Sequence, residues 1–244
     1  MESLEAELDR ARDLDVPDLA DAIVEIGFEC TRCGACCKAE TCENGDSDDV
    51  DPEPHTATVF PDEIRRVQDA GDEEYDFRDV ARPMPYGLED GPEGPEGETF
   101  EWALQTDDCG DCTFYEEREA SETPHGDGEA VEDAGTGACT VHEDRPLICR
   151  TYPFSVALGG TSQPMGEAVD EHGMVRAHEC EGLGRDISRA EATDLAAALK
   201  ERAVREIEEA IAVRDAYEPV ETGPGEIVVH DSEGQKRPDG TGLD

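Results

Sequence analysis

Four of the chain's ten cysteines fall within eight residues, Cys30, Cys33, Cys36 and Cys37, in the run FECTRCGACCKAETC that ends at Cys42. CGDC follows at Cys109 and Cys112, then ACTVHEDRPLICRTYPF with Cys139 and Cys149, and Cys180 closes the set. Thiolates this dense bind a soft metal or an iron–sulfur cluster far more often than they fill a core. Cys30-x2-Cys33-x2-Cys36 is the spacing that wraps a cubane cluster in bacterial ferredoxins, although the x3-Cys-Pro ending is missing here. Gly34, between ligand candidates, suits a tight turn and a close backbone approach. Cys37 is the unusual member. In an extended segment adjacent side chains point to opposite sides. Cys36 and Cys37 are therefore expected to serve two different centres, or one of them to bridge. More than four thiolates are then required, and the later blocks supply them.

The same blocks resemble the YkgJ-type cysteine-cluster proteins, a family with a C-x2-C-x2-C-C domain described as zinc- or iron-chelating. The resemblance lies in FECTRCGACC (28–37), CTFY (112–115), CTVHEDRPLICRTYPF (139–154) and HECEGLG (178–184). It implies Cys30, Cys33, Cys36, Cys37, Cys112, Cys139, Cys149 and Cys180 as metal ligands, enough for two four-ligand centres. The implied cofactor is an iron–sulfur cluster, 4Fe–4S in type, or zinc. His142 stands where the family usually has Tyr, and Cys42 and Cys109 are additional. The acidity of the chain resembles that of a halophilic archaeal member.

Around these thiols, Arg145 and Arg150 are candidates for the cofactor's surroundings, because a guanidinium offsets thiolate charge and raises a cluster's potential. Tyr152-Pro153-Phe154 reads as a dry wall. His178, two residues before Cys180, and His142 are weaker ligand candidates. His55, His125, His172 and His230 read as solvated. No G-x-S-x-G, H-E-x-x-H or Walker A sequence is present.

The elements that must position these residues are legible in part. Leu4, Leu8, Ala11 and Leu14, then Leu19, Ile23 and Ile26 after Pro17, predict helix over 2–27. Pro61-Asp62-Glu63 opens a short helix. Phe100, Trp102 and Leu104 alternate as a half-buried strand would. Residues 43–54, 71–98 and 116–137 read as acidic loops, GPEGPEG at 91–97 among them. Tyr152–Leu158 and Met174–His178 read as strands. Ser188-x-x-Glu191 is a capping box ahead of an apolar face formed by Leu195, Leu199, Ala203, Ile207 and Ile211. Ile227–Val229 reads as a strand and the last dozen residues as loose. The expectation is an α+β fold: a small irregular metal knot with short strands, between an N-terminal helix and a long C-terminal helix. The implied segments are 1–27, the cysteine-cluster domain at 28–185, a helix at 186–217 and a strand with a loose tail at 218–244.

With 20 basic and 64 acidic residues the net charge is −44. Such a surface excludes nucleic acid and anionic membrane as partners. The N-terminus lacks the basic and apolar regions of a signal peptide, so a cytoplasmic setting with reduced thiols is expected. A disulfide scaffold is the competing use of ten cysteines. The function classes left open are an iron–sulfur protein for redox work or metal handling with a redox or other protein partner, a structural zinc module, and an enzyme. The last rests on resemblance to a flagellin lysine methylase that carries a related cluster, which makes a cluster-dependent protein lysine methyltransferase conceivable. Cys-only ligation, the x2-x2 triplet and the vicinal pair favour iron–sulfur over zinc. Acid spread along the whole chain with only three lysines, Lys38, Lys200 and Lys236, points to a surface adapted to high salt. The melting temperature is expected to fall as KCl is diluted from molar to about 0.1 M, because the Debye length grows from about 3 to about 10 Å. An unchanged value across that range removes the salt adaptation.

Overall fold

Ser3 starts the first helix. Its hydroxyl accepts the Ala6 N–H at 3.3 Å and caps α1 (Leu4–Asp13). Asp15 repeats the device for α2 (Val16–Ile26), accepting from Asp18 N–H at 3.1 Å with Pro17 in the first turn. Pro17 thus divides two helices rather than kinking one. Gly27, at φ 79°, ends α2 and turns the chain into the cysteine knot. This computed structural model describes residues 3–39, 54–70, 75–117, 137–158 and 167–243. Cys42, His125 and most of the acidic runs at 43–54 and 116–137 lie outside the described residues.

Short elements follow in order: β1 (Thr58–Val59), α3 (Pro61–Asp69), α4 (Phe77–Val80), β2 (Ala81–Pro83), β3 (Leu88–Gly91), β4 (Gly94–Thr99) and β5 (Trp102–Leu104). Next come β6 (Tyr115–Glu117), β7 (Gly137–Cys139), a 3-10 turn at His142–Asp144, α5 (Leu147–Thr151), β8 (Phe154–Val156), β9 (Ala168–His172) and β10 (Val175–His178). The long helix α6 (Arg189–Ala216) and the strands β11 (Ile227–Asp231) and β12 (Gly234–Lys236) complete an α+β fold. The strands form four small sheets, ordered β1-β5-β2, β8-β10-β9, β12-β11-β4-β3 and β6-β7.

Two apolar clusters hold these pieces. In the first, Leu8, Ala11, Leu19, Ile23 and Ile26 of α1 and α2 pack on Ala192, Ala196, Leu199 and Ile207 of α6, with Phe154 and Val175 beneath. The capping box forms as expected: Ser188 Oγ accepts from Glu191 N–H at 3.2 Å, and Glu191 accepts from Ser188 N–H at 3.1 Å. Lys200 donates to the Leu14 carbonyl at 2.7 Å and Arg214 pairs with Glu5 at 2.7 Å, so polar ties run along the α1–α6 seam. In the second cluster, Val59, Ile64, Val67, Val80, Trp102, Leu104 and Phe114 meet around the β1-β5-β2 sheet.

The structure departs from the sequence reading in three places. Residues 75–98, expected as loop, contain α4, β2 and the β3–β4 hairpin. GPEGPEG is the hairpin's tip, with Gly91 paired to Gly94. These strands carry little apolar alternation, and β4 gains its ladder from β11, a parallel neighbour more than a hundred residues away. Residues 102–104 are buried throughout rather than in alternation, because β5 is the central strand of its sheet and both faces are covered. Phe100 stays exposed.

The C-terminal end, expected to be loose, is tied down. Asp231 is 2% exposed. Its Oδ2 accepts from Trp102 Nε1 at 2.8 Å and pairs with Lys236 at 2.8 Å, while Oδ1 accepts from Glu233 N–H at 2.9 Å. Arg65 of α3 clamps Glu233 through both nitrogens, at 2.7 and 3.1 Å, and holds its carboxyl down at about 2. Asp231→Ala takes the acceptor from the Trp102 indole N–H and one of two carboxylate partners from Lys236, which keeps Glu233 at 2.7 Å. Loss of about 2 kcal/mol is expected in a denaturant titration. A loss under about 1 kcal/mol would show that the hairpin does not depend on this carboxylate.

Candidate metal centre

The knot begins where α2 ends. Phe28 bridges to Leu183, Glu29 N–H donates to Gly182 O at 3.0 Å, and Gly184 N–H donates to Gly27 O at 3.0 Å. This antiparallel pairing sets Cys30 beside the Cys180 segment. The chain then turns, with Cys37 N–H donating to Gly34 O at 2.8 Å. Gly34 has φ 81°, and a Cβ there would run into the Tyr115 ring. The same ring blocks a Cβ at Gly137. Lys38 covers Tyr115 from outside, its Nζ 5.3 Å from the ring centroid.

Backbone bonds dock the later blocks onto this turn. Cys112 N–H donates to Cys37 O at 2.8 Å, and Gly137 N–H to Arg32 O at 3.0 Å. The β6–β7 pair sets Tyr115 opposite Cys139. Cys149 comes from α5, which is held at both ends by buried polar groups. Leu147 N–H, in its first turn, donates to Glu63 Oε1 at 2.9 Å. At its end Thr151 Oγ1 receives Arg202 of α6 at 2.9 Å. Glu63 is 1% exposed and Arg202 2%. Burial raises the Glu63 carboxyl, against the pull of its two backbone donors and of Arg205 and Arg66.

The thiols fall into two adjoining groups. A cavity of 270 Å³ is lined by Cys36, Cys37, Cys112, Cys139 and Cys149 with Arg145, Tyr152 and His55. Cys37, Cys112, Cys139 and Cys149 also pack against the second apolar cluster. On the other side Cys180 feels the charges of Cys33, Cys36 and Cys30, and its Sγ faces Gly182 N–H at 3.4 Å. No disulfide joins the described cysteines. Among the described residues no three Cys, His, Asp or Glu side chains already stand close enough to hold a single ion; the thiols ring a space instead.

The vicinal pair corrects the sequence reading. Cys36 and Cys37 were expected on opposite sides of an extended segment, yet their Sγ atoms lie 3.8 Å apart. The reason is the turn at Gly34. Tetrahedral Zn–S bonds of about 2.3 Å give an edge of about 3.8 Å, so the spacing suits two ligands of one metal as well as neighbouring ligands of two. Hydrogen bonding between the two thiols, then burial, raises Cys36 far above the usual thiol range. Burial likewise pushes Cys112 up to about 11 and raises Cys139, Cys149 and Cys180. Arg145 opposes this at Cys36, Cys139 and Cys149. The donor set fits a soft metal: five thiols and mostly apolar side chains line the cavity, with one guanidinium, Arg145, to offset charge.

Residues 29–181 match the family model of the CxxCxxCC domain, whose description reads "Putative zinc- or iron-chelating domain". The chain belongs to the CxxCxxCC family. Metal binding is therefore the activity of this CxxCxxCC domain, with zinc and iron as the metals its description names. No curated protein and no solved structure matches the chain. No described helix is long and apolar enough to cross a membrane.

The other candidates separate clearly. Arg145 lines the thiol cavity, while Arg150 is exposed on α5 and lines neither that cavity nor the shallower one beside Cys30. Cys109 is exposed in the Asp107–Asp111 loop, outside both. His142 lines the shallower cavity next to Glu143. His178 is buried against Ser155 Oγ at 2.8 Å. His55 and His230 are not solvated as expected. Burial and Arg82 lower His55 to about 4, and His230 is 3% exposed beside Glu98. Tyr152 does act as a wall residue, its hydroxyl donating to Glu179 O. Glu63 and Arg202 escaped the sequence reading because a lone acid and a lone base in helices read as surface. Arg202 lies one residue before Ala203 of the apolar face, its only mark. Gly34→Ala is expected to cost about 1–3 kcal/mol through φ strain and the Tyr115 clash, and to lower bound metal in the purified protein. Full metal with unchanged stability would mean that the Gly34 turn does not set the knot.

Proposed function

We propose that the CxxCxxCC domain holds two neighbouring four-thiolate centres, Cys37, Cys112, Cys139 and Cys149 in one and Cys30, Cys33, Cys36 and Cys180 in the other. The single observation carrying this is the partition of the eight thiols. Cys37, Cys112, Cys139 and Cys149 pack on the second apolar cluster and line the 270 Å³ cavity, which Cys36 also lines, while Cys30, Cys33 and Cys36 are the thiols whose charges reach Cys180. The Cys36–Cys37 contact at 3.8 Å joins the two sets. Iron–sulfur clusters are the favoured occupants, because every donor is sulfur and the Cys30-x2-Cys33-x2-Cys36 triplet is a cluster spacing. Such clusters supply one-electron redox chemistry.

The residues of the chain do the rest. The thiols orient and hold the metal, Tyr152 and Phe114 exclude water, and Arg145 offsets negative charge between the two sets. The role in this reading is electron transfer or metal handling with a redox partner protein. Metal, sulfide and visible absorption measured on anaerobically purified protein test it. Bound iron and sulfide with visible absorption are expected, and Cys149→Ser and Cys180→Ser should each remove about half of the iron and destabilise the fold. Stoichiometric zinc in a colourless, redox-silent protein would replace this reading with a structural zinc module. Loss of all metal from either variant would overturn the two-centre division.

A further inference from the structure

A larger cavity, 540 Å³, lies between the β1-β5-β2 sheet and the second half of α6. Its wall is aromatic, with Phe60, Tyr86, Phe100, Trp102 and Tyr217. Exposure makes this unusual. Among the described residues the exposed aromatic side chains are Tyr86, Phe100 and Tyr217, and all three line this cavity. Scattered exposed apolar residues need no explanation, but rings gathered on one concave wall do.

Two of these rings, Phe100 and Tyr217, are held in place rather than loosely exposed. Phe100 stacks on His230 with centroids 5.3 Å apart, and Tyr217 meets His230 edge-on at 4.9 Å. Phe100 and Tyr217 are 5.5 Å apart, and the Tyr217 hydroxyl donates to Glu98 at 3.3 Å. A wall fixed in this way is prepared for a ligand at little ordering cost.

Charge selects the ligand. Glu101, Glu206 and Glu209 line the cavity. Glu206 already accepts from Arg202 at 2.6 Å, and Arg214, also on the wall, is bound to Glu5 and Asp215. Glu101 reaches solvent, but crowding by protein atoms and then the carboxylate of Glu209 raise its carboxyl above the ordinary range. Glu209 Oε1 already accepts the Ser232 N–H at 2.7 Å, which leaves its second oxygen and Glu101 for a cation; a cation beside them relieves that repulsion, and the negative faces of the rings attract it as well. An anion is repelled by the same groups, and a neutral apolar molecule gains only the rings.

We infer that this cavity binds an organic cation, an ammonium group carried on an apolar body, held by Tyr86, Phe100 and Tyr217 and by the carboxylates of Glu101 and Glu209. The site adjoins the thiol cavity. Thr58, Val59 and Trp102 line it, whereas Thr56, Ala57 and Leu104, two residues along the same strands, line the thiol cavity. Two residues span about 7 Å of strand, so an occupant lies next to the wall of the metal site.

Trp102, the chain's one tryptophan, lies in the cavity wall and reports on occupancy. The metal-loaded full chain is titrated with benzyltrimethylammonium, benzyl alcohol and benzoate while its fluorescence is followed. The work is done at about 1 M KCl, so that diffuse attraction to the acidic surface is screened. Saturable binding of the cation, with the alcohol weaker and benzoate silent, is expected. Phe100→Ala and Tyr86→Ala, both at exposed positions, should each weaken the cation about tenfold. Glu101→Gln should weaken the cation and narrow its advantage over the alcohol, and bound metal should be unchanged in all three variants. Equal affinity for cation and alcohol would overturn the inference, as would full affinity in Glu101→Gln. So would a cavity covered by a second copy of the chain, seen as a dimer in light scattering that Phe100→Ala dissociates.

Discussion

Five thiols line one cavity of 270 Å³, Cys36, Cys37, Cys112, Cys139 and Cys149, and they cannot all ionise without compensation; much of the structure can be understood from that constraint. Each thiolate loses hydration on burial and repels its neighbours, which is why the described buried thiols sit above their ordinary range. Arg145 supplies one positive charge against this. A chelated cation supplies more, and its binding drives the remaining protons off the sulfurs. Backbone bonds already dock the later blocks onto residues 30–37, through Cys112 N–H to Cys37 O and Gly137 N–H to Arg32 O, so a metal held by these thiols adds its binding energy to a knot the fold has shaped.

The rest of the fold has to hold five cysteine-bearing segments together despite a small apolar content. It anchors four of them in pairs and the fifth by buried polar side chains. The segment at Cys30 is paired with the one at Cys180 by backbone bonds, and both lean on the cluster under α1, α2 and α6. The segments at Cys112 and Cys139 join through β6–β7 and lean on the second cluster. Cys149 is the linking case. Its short helix receives Glu63 of α3 at its first turn and is held at its other end by Arg202 of α6, so the two halves meet at this cysteine. Burying Glu63 and Arg202 costs solvation, which their hydrogen bonds to α5 offset. Helix α5 is only five residues long and gains little from its own ladder, so its position depends on these two side chains.

The aromatic cavity adds a second chemistry to the same scaffold. Residues of β1 and β5 line the ring-lined space, and Leu104 of β5 with Thr56 and Ala57 just before β1 line the thiol cavity, so the fully buried central strand β5 borders both. Such packed elements shift as units rather than deform gradually, which gives the two cavities a physical route for mutual influence.

The sequence by itself determined what depends on local chemistry. Cysteine type and spacing marked the metal site, the capping box at Ser188 and the apolar period after it marked α6, and Pro61 marked a helix start. Each of these is decided by neighbours within a few residues, through hydrogen-bond geometry, helical periodicity or chelate spacing. Tertiary structure decided the remainder. The Gly34 turn brought Cys36 and Cys37 to the same side, where extended-chain geometry put them apart. The weakly apolar strands around Gly91 and Gly94 formed because β11, far along the chain, completes their sheet. Arg145, held in the turn before α5 by its bond to the His142 carbonyl, lines the thiol cavity, whereas Arg150 is carried to the surface by α5, whose position Glu63 and Arg202 fix from far along the chain. Single ionisable residues read as surface from sequence, since desolvation and pairing are properties of what packs around a side chain and not of its neighbours along the chain.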